Sequence, residues 1–373
     1  MTRKNSSQEI FVTPGDYILD YLERREWTQE DLAAIMDVSP KSVNQIIKGK
    51  QSITPEMAQL LGEAFNKTPE YWLNLEMEHQ LQVKGLEEER LANVGKRVRL
   101  YQQFPIQELL KKGWIKASST IQNLESNLVN ILGFKQIEDF DKATRQVALY
   151  RKSNEEKEQH PNLQVWLQIT QHLASQVDTP PYQKQKLSDL YKELHKYTYK
   201  EDGVKLFLEK LTDIGVIFMY LPHLQKTYVD GVAHKNKEEK PYIVYTGRYK
   251  RIDNFWFTLG HEIGHILQHL DKNSGANVYN SQEGEADAMA LEVLKKNEIM
   301  ENLEGHLNYL ADAKILEVAN KIKVHPAIIS GILSHEGYIN YARIHRFNED
   351  SVSKIPDKYW GINILKELKT EAK

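Results

Sequence analysis

Along most of this chain apolar residues recur three and four positions apart, the spacing of helices with one buried face. Residues 14–75 read as one compact helical unit. Within it, Thr28 and Asp31 form a capping box that opens a helix with Leu32, Ala33, Ile35 and Met36 apolar. Ser39 followed by Pro40 opens a second helix over 41–47, and Gly49 ends it. Two short helices joined at Asp37 and Val38 make a helix-turn-helix pattern. From 79 to 100 the sequence becomes highly charged and predicts a solvated helix crossing between domains. Helical periodicity continues over 107–112, 119–132, 141–151, 163–176 and 184–197, with loops at 154–161 and 178–181. No motif in 100–200 carries chemistry, and Trp166, Tyr182 and Tyr191 read as core or interface residues.

After residue 203 the pattern changes. The runs 216–220 (VIFMY) and 242–245 (YIVY) are short and rich in β-formers, punctuated by Gly231 and Pro241. They predict strands of a small sheet ahead of a long amphipathic helix, and 301–373 returns to helices.

That long helix contains the sequence HEIGH at 261–265. On a helix, positions four apart lie about 40° around the axis and one turn along it. His261 and His265 can therefore reach one ion from a single face, with Glu262 beside them as a general base for water. This is an arrangement that metal-assisted peptide hydrolysis requires. The plainer reading is an amphipathic core helix built on Phe257, Leu259, Ile263, Ile266, Leu267 and Leu270. Such a helix has no reason to bury two histidines without partners.

A third ligand is expected, since catalytic zinc keeps three protein ligands and one open position. Glu283 and Asp287, four apart on the next helix-like stretch, serve as ligand and as acceptor for the outer N–H of a ligating histidine. Glu283 competes with a capping-box role opposite Asn280. Glu285 is the rival ligand, disfavoured because Met289 stands four residues on. Tyr245, Tyr249, Tyr279 and His269 are candidates for an additional oxyanion contact. For His269 a packing or supporting role is favoured over a fourth ligand, which would close the site. In zinc peptidases of this layout an edge strand can hold substrate by strand addition, and Tyr242, Val244 and Tyr245 are the expected substrate strand.

In the helix-turn-helix, Val43, Ile46 and Ile47 are expected inside. Lys41, Ser42, Asn44 and Gln45 point outward, as side chains that reach base edges and phosphates do. Lys48 and Lys50 extend the positive charge, with no acid between 38 and 55, although 14–75 as a whole is more acidic than basic. A generic helical hairpin is the alternative.

Composition narrows the class. The chain has 373 residues, 40% hydrophobic and 27% charged, as in globular proteins with two or three domains. It contains no cysteine, which removes disulfides, thiolate catalysis and cysteine-type zinc sites. A net charge of −3 confines any nucleic-acid contact to a local patch. Neither a membrane span nor a secretory leader is expected, so cytoplasm is the expected compartment.

Two regions resemble known families. PGDYILDYLERREWTQEDLAAIMDVSPKSVNQIIKGKQSITPEMAQLLGEAFNKTPEYWLNLE resembles the HigA-type antitoxin branch of the XRE helix-turn-helix regulators. From about 214 to 294, the ordered motifs DGVAH, PYIVYT, FWFTLGHEIGHILQH and EGEADAMA resemble ImmA/IrrE-type metallopeptidases, and VHPAIISGILSHEGYINY resembles the C-terminal region found when the two are fused. Together they cover a little under half of the chain. The resemblance implies His261, His265 and Glu283 as ligands, Glu262 as catalytic acid/base and Asp287 as supporting carboxylate. Met289-Ala290 stands where that family usually has Phe-Ala.

The expected architecture is mainly α with a small β-sheet: an N-terminal all-α helix-turn-helix domain (1–78), a helical accessory region (79–200), an α+β zincin-like peptidase domain (201–300) and a C-terminal helical region (301–373). The expected function is a DNA-binding regulator carrying a zinc endopeptidase that cleaves a repressor or regulatory partner in a phage, stress or toxin–antitoxin circuit. One Zn2+ per chain is expected, with Mn2+ as the alternative. The expected partners are a double-stranded DNA operator, a repressor-like or toxin-like protein substrate and a second copy in a homodimer. The rival reading is a HigA-like antitoxin or repressor whose metal domain senses a signal or binds a partner without proteolysis.

Overall fold

The computed structural model describes residues 13–84, 88–140, 142, 160–270 and 279–365, and it divides into two units at Gly95 and Lys96. The expected helix over 141–151 and most of the loop over 154–161 lie outside the described residues.

The first unit holds α1 (Pro14–Arg24), α2 (Gln29–Ile35), α3 (Pro40–Ile47), α4 (Pro55–Phe65) and α5 (Pro69–Lys84). Side-chain caps set its boundaries. Thr13 with Asp16 and Thr28 with Asp31 each form a reciprocal capping box, and Ser39 and Thr54 cap α3 and α4 ahead of a proline. Asn66 closes α4 in the left-handed region, where an Asn is tolerated. Ile18, Leu22, Leu32, Val43, Ile46, Leu61, Phe65 and Trp72 bury one face of every helix. Tyr21, Phe65 and Tyr71 ring the indole of Trp72. Gly15 lets α1 cross the end of α3, because a Cβ there would lie 2.1 Å from the Ile47 carbonyl oxygen. The next helix, α6 (Glu88–Gln103), covers the charged stretch.

The second unit begins with α7 (Ile106–Lys111), α8 (Ile121–Leu132), α9 (Pro161–Ala174), α10 (Lys184–Lys192), α11 (Leu194–Thr198) and α12 (Gly203–Asp213). Three strands follow: β1 (Ile217–Tyr220), β2 (Gly231–Lys235) and β3 (Pro241–Tyr245). Then come α13 (Ile252–Gln268), α14 (Tyr279–Val293), α15 (Lys296–Leu303), α16 (Asp312–Ile322), α17 (Pro326–His335) and α18 (Tyr341–Ile344).

The sheet order is β1-β3-β2, with β1 parallel and β2 antiparallel to β3. Alternate residues of a strand point to opposite faces, and here both faces are covered. Phe218, Tyr220, Ile243 and Tyr245 pack with α13 and the C-terminal helices. Ile217, Met219, Tyr242 and Val244 pack instead with Leu128, Trp166, Ile169 and other residues of 100–174. The described residues between 100 and 174 are therefore the cover of the sheet's second face, whereas Leu187, Leu190, Leu194 and Tyr197 pack on the first. By its contacts the chain from Lys96 onward forms one compact unit. A hydrophobic sheet face left in water would be unstable, and the helices of 100–174 bury it.

Small residues bring α13 and α14 close. Gly260 faces Ala290 and Gly264 faces Ala286, so a Cβ at either glycine would sit 3.4–3.5 Å from the opposing alanine. Residues with larger side chains at these positions would hold the two helices apart.

Candidate metal centre and nucleic-acid interface

The close crossing of α13 and α14 brings three ligand atoms together. The Nε2 atoms of His261 and His265 lie 3.0 Å apart, and each lies 3.3 Å from an oxygen of Glu283. Ligands held tetrahedrally at about 2.0–2.2 Å from an ion are separated by roughly 3.3–3.6 Å. The donor set, at 3.0–3.3 Å, is close to the size of a zinc site. Its chemistry points the same way, because lone pairs facing one another at this distance require a cation between them, whether a proton or a metal. Among the described residues, His261, His265 and Glu283 are the one group with such convergence.

The surrounding groups orient this set. His261 Nδ1–H donates to Asp287 Oδ1 at 2.8 Å. His265 Nδ1 lies 3.1 Å from His269 Nδ1, and His269 Nε2 lies 3.1 Å from Glu285 Oε2. Glu285 therefore points to His269, and Glu283 is the carboxylate of the cluster. α14 opens at Tyr279, one residue before Asn280, so Asn280 does not serve as the N-cap of a capping box.

Electrostatics follow from burial and proximity. Burial opposes charging His261, but Glu283, Glu262 and Asp287 outweigh it and raise its pKa to about 9. Hydrogen bonds from His261 and His265 hold the Glu283 carboxyl well below the usual carboxylate range. Glu262 is only 7% exposed, and burial pushes its pKa up to about 7 against the opposing pull of His261 and His265. The backbone N–H of Ala233 donates to the Glu262 carboxylate, so β2 holds the group in place. A Cβ on Gly231 would lie 2.6 Å from Thr258 Cγ2 and 2.9 Å from Glu262 Oε1, so glycine is what allows β2 this close.

The sequence reading missed β2. GVAHK has a single β-branched residue, Val232, and no aromatic one, unlike the runs that marked the other strands. Its presence corrects the expected substrate strand. Tyr242, Val244 and Tyr245 lie in β3, which is the central strand, paired on both sides and fully buried. Its backbone groups are already used in the ladder, whereas β2 is the sheet edge beside Glu262. Tyr245 Oη donates to the Tyr249 carbonyl at 2.8 Å and lies 3.0 Å from Ser351 Oγ, a buried structural role in place of an oxyanion contact. The Tyr279 side chain lies outside the described residues.

In the first unit, Val43 and Ile46 of α3 are buried, with Ile47 packed against the core. Lys41, Lys48 and Lys50 are exposed, while Ser42, Asn44 and Gln45 are half-buried. Ser42 is engaged with the cap, its hydroxyl 2.8 Å from Ser39 Oγ. Asn44 Nδ2 donates to Gln29 Oε1 at 3.1 Å, which ties α3 to the first residue of α2. Gln29 was not among the expected residues, since only the angle between α2 and α3 puts it there. Positive φ at Gly49 turns the chain after α3, with Lys50 N–H donating to the Gln45 carbonyl. The three lysines thus sit at the two ends of α3, as phosphate-contacting residues do.

Comparison with known proteins agrees with this geometry for the first unit. Residues 18–72 match the helix-turn-helix family. The chain is 31% identical over 90 residues to the uncharacterized HTH-type transcriptional regulator YddM of Escherichia coli (strain K12), covering 24% of this chain and 92% of YddM. It is 38% identical over 66 residues to YbaQ of the same strain, another uncharacterized HTH-type transcriptional regulator, covering 17% of this chain and 58% of YbaQ. Among solved structures, an addiction module antidote protein of a HigA family from Coxiella burnetii is 29% identical. That match covers 20% of this chain and 86% of the other, with a TM-score of 0.19. A capped α2–turn–α3 with an exposed basic flank, together with identity over nearly the whole of YddM, shows that through its first unit this chain belongs to the helix-turn-helix family of DNA-binding transcriptional regulators.

Proposed function

We propose that this DNA-binding regulator carries, in its second unit, a zinc-dependent endopeptidase that cleaves a repressor-like or toxin-like regulatory protein. The observation that carries the reading is the meeting of two imidazole Nε2 atoms, 3.0 Å apart, with the Glu283 carboxylate, one oxygen 3.3 Å from each, beside a buried carboxylate and a sheet edge. His261, His265 and Glu283 would hold the ion, and Asp287 would keep His261 in the tautomer that presents Nε2. Bound Zn2+ supplies Lewis acidity and lowers the pKa of water.

The remaining chemistry belongs to the chain. An extended peptide adds along the edge of β2, where main-chain hydrogen bonds align it without regard to side chains. Glu262 takes the proton of the attacking water and passes it to the leaving amine. Burial suits it to both tasks, because a carboxyl with a pKa near 7 exchanges a proton readily in either direction at neutral pH. Among the described residues no helix is long and apolar enough to cross a membrane.

The test uses the full chain. Purified wild type and Glu262→Gln are analysed for bound metal, then each is incubated with a host-cell lysate whose new protein N-termini are labelled. New termini that appear with wild type and are absent with Glu262→Gln or a chelator support the peptidase. Identical termini with zinc-loaded wild type and zinc-loaded Glu262→Gln refute it. That outcome leaves a regulator whose metal unit senses a signal or binds a partner.

A further inference from the structure

Around the three ligands, each histidine needs its outer ring nitrogen fixed, because that nitrogen decides which tautomer faces the ion. His261 has Asp287 for this. At His265 Nδ1 the neighbour is another imidazole, His269, at 3.1 Å. Two imidazole nitrogens at this distance are compatible only if one carries a proton and the other a lone pair. The far side of His269 decides which. Its Nε2 lies 3.1 Å from Glu285 Oε2, and an ionised carboxylate only accepts, so His269 Nε2 carries the proton. His269 Nδ1 is then the acceptor, His265 Nδ1–H the donor, and His265 Nε2 a bare lone pair turned toward His261 and Glu283.

We propose that Glu285 and His269 act as a positioning relay that selects the tautomer and ring angle of His265 for metal binding. The inference rests on the reading of His261, His265 and Glu283 as metal ligands. The geometry behind it is continuous. His261 and His265 are i, i+4 positions on α13, His269 follows four residues later as its C-cap, and Glu283 and Asp287 flank Glu285 on α14. The crossing of these two helices therefore supplies one carboxylate as ligand and one carboxylate-based support for each histidine. His269 is 7% exposed, so its ring cannot swing to water when its partners are lost. Glu285 is exposed and can be replaced without opening the core.

The experiment measures Zn2+ affinity of the full chain by competition with a chromophoric chelator, alongside the visible absorption of Co2+ bound at the same site. His269→Leu removes the acceptor and is expected to weaken zinc binding on the order of 10–100-fold and to alter the Co2+ band shape. His269→Asn restores an acceptor near the Nδ1 position and is expected to recover most of the affinity. Glu285→Ala is expected to weaken binding by a smaller factor. Combined with His269→Leu it should add nothing further, since both remove the same support. Unchanged zinc affinity and Co2+ spectrum in Glu285→Ala, or a weakening in His269→Leu that His269→Asn does not reverse, would overturn the relay and leave His269 as packing. Should His269→Leu fail to fold, Glu285→Ala decides alone, and an unchanged affinity overturns the proposal. Wild type that binds no zinc, or binds it as well after His261→Ala, removes the metal-site reading and the relay together. Tight wild-type binding lost in His261→Ala but unchanged in Glu285→Ala removes the relay alone.

Discussion

The contact between Gly264 and Ala286 yields a prediction in which a small enlargement and a slightly larger one have opposite signs. A Cβ added at Gly264 would lie 3.5 Å from Ala286 Cα and 3.7 Å from its Cβ and carbonyl oxygen, which is ordinary van der Waals contact. Gly264→Ala therefore fits. It gains about 1 kcal/mol of helix propensity and buries a methyl, so the second unit is expected to be stabilised by roughly 1 kcal/mol. Gly264→Val carries two more carbons, each about 1.5 Å beyond Cβ, into a gap already filled. The two helices must then separate by on the order of 1 Å, at a cost of about 1–3 kcal/mol. Glu283 sits one turn before Ala286 on the same helix, and metal-ligand distances tolerate only about 0.2 Å. Zinc binding should therefore fall by at least about tenfold in the valine variant and stay unchanged in the alanine variant. Thermal unfolding of the full chain with and without Zn2+ reads the first effect, and chelator competition reads the second. A domain of this size shifts by about 2–4 °C per kcal/mol, so alanine should raise the melting point of the second unit by about 2 °C and valine lower it. Valine that matched alanine in both measurements would refute the close-crossing account of the site.

Three further outcomes are expected. Gly231→Ala should displace Glu262, since the new methyl would lie 2.9 Å from its Oε1, and peptide cleavage should fall by on the order of 100-fold while zinc affinity changes little; cleavage at the wild-type rate would contradict the placement of β2. Lys48→Ala should weaken binding to all DNA sequences alike and reduce the salt slope by about 1, whereas Asn44→Ala and Gln45→Ala should relax sequence preference, as read by competition between operator and random duplex; equal effects from both would place the recognition face elsewhere. Burial, with Lys237, lowers the pKa of His172, so the folded second unit binds fewer protons there than the unfolded chain. That contribution is present above the unfolded value near 6.5 and is lost as pH falls, so the melting temperature should drop from pH 7 to 5 and drop less in His172→Gln; equal slopes would exclude His172 as a source.

Much of this site was legible before the fold. The i, i+4 spacing of His261, His265 and His269 is a property of any helix, so their common face follows from the sequence. Glu283 and Asp287 were readable for the same reason. The boundaries of α2 and α3 were also local, written in Thr28 and Ser39–Pro40, because caps act within one turn. What escaped was everything that depends on residues distant in sequence. The role of 100–174 was invisible because a helix that covers a sheet looks like any amphipathic helix. Likewise β2 carries little propensity of its own and exists because β3 lies beside it, which also moved the exposed edge away from Tyr242, Val244 and Tyr245.

The sequence by itself determined the donor types, their helical spacing and the capped helix-turn-helix, because each is set by contacts within a few residues. Only the tertiary structure decided that α13 and α14 cross closely enough for Glu283 to meet both histidines, that Glu285 turns to His269, and that Ala233 and Gly231 hold Glu262. Those outcomes depend on how two elements pack, and packing distance is set jointly by residues that are never neighbours in the chain.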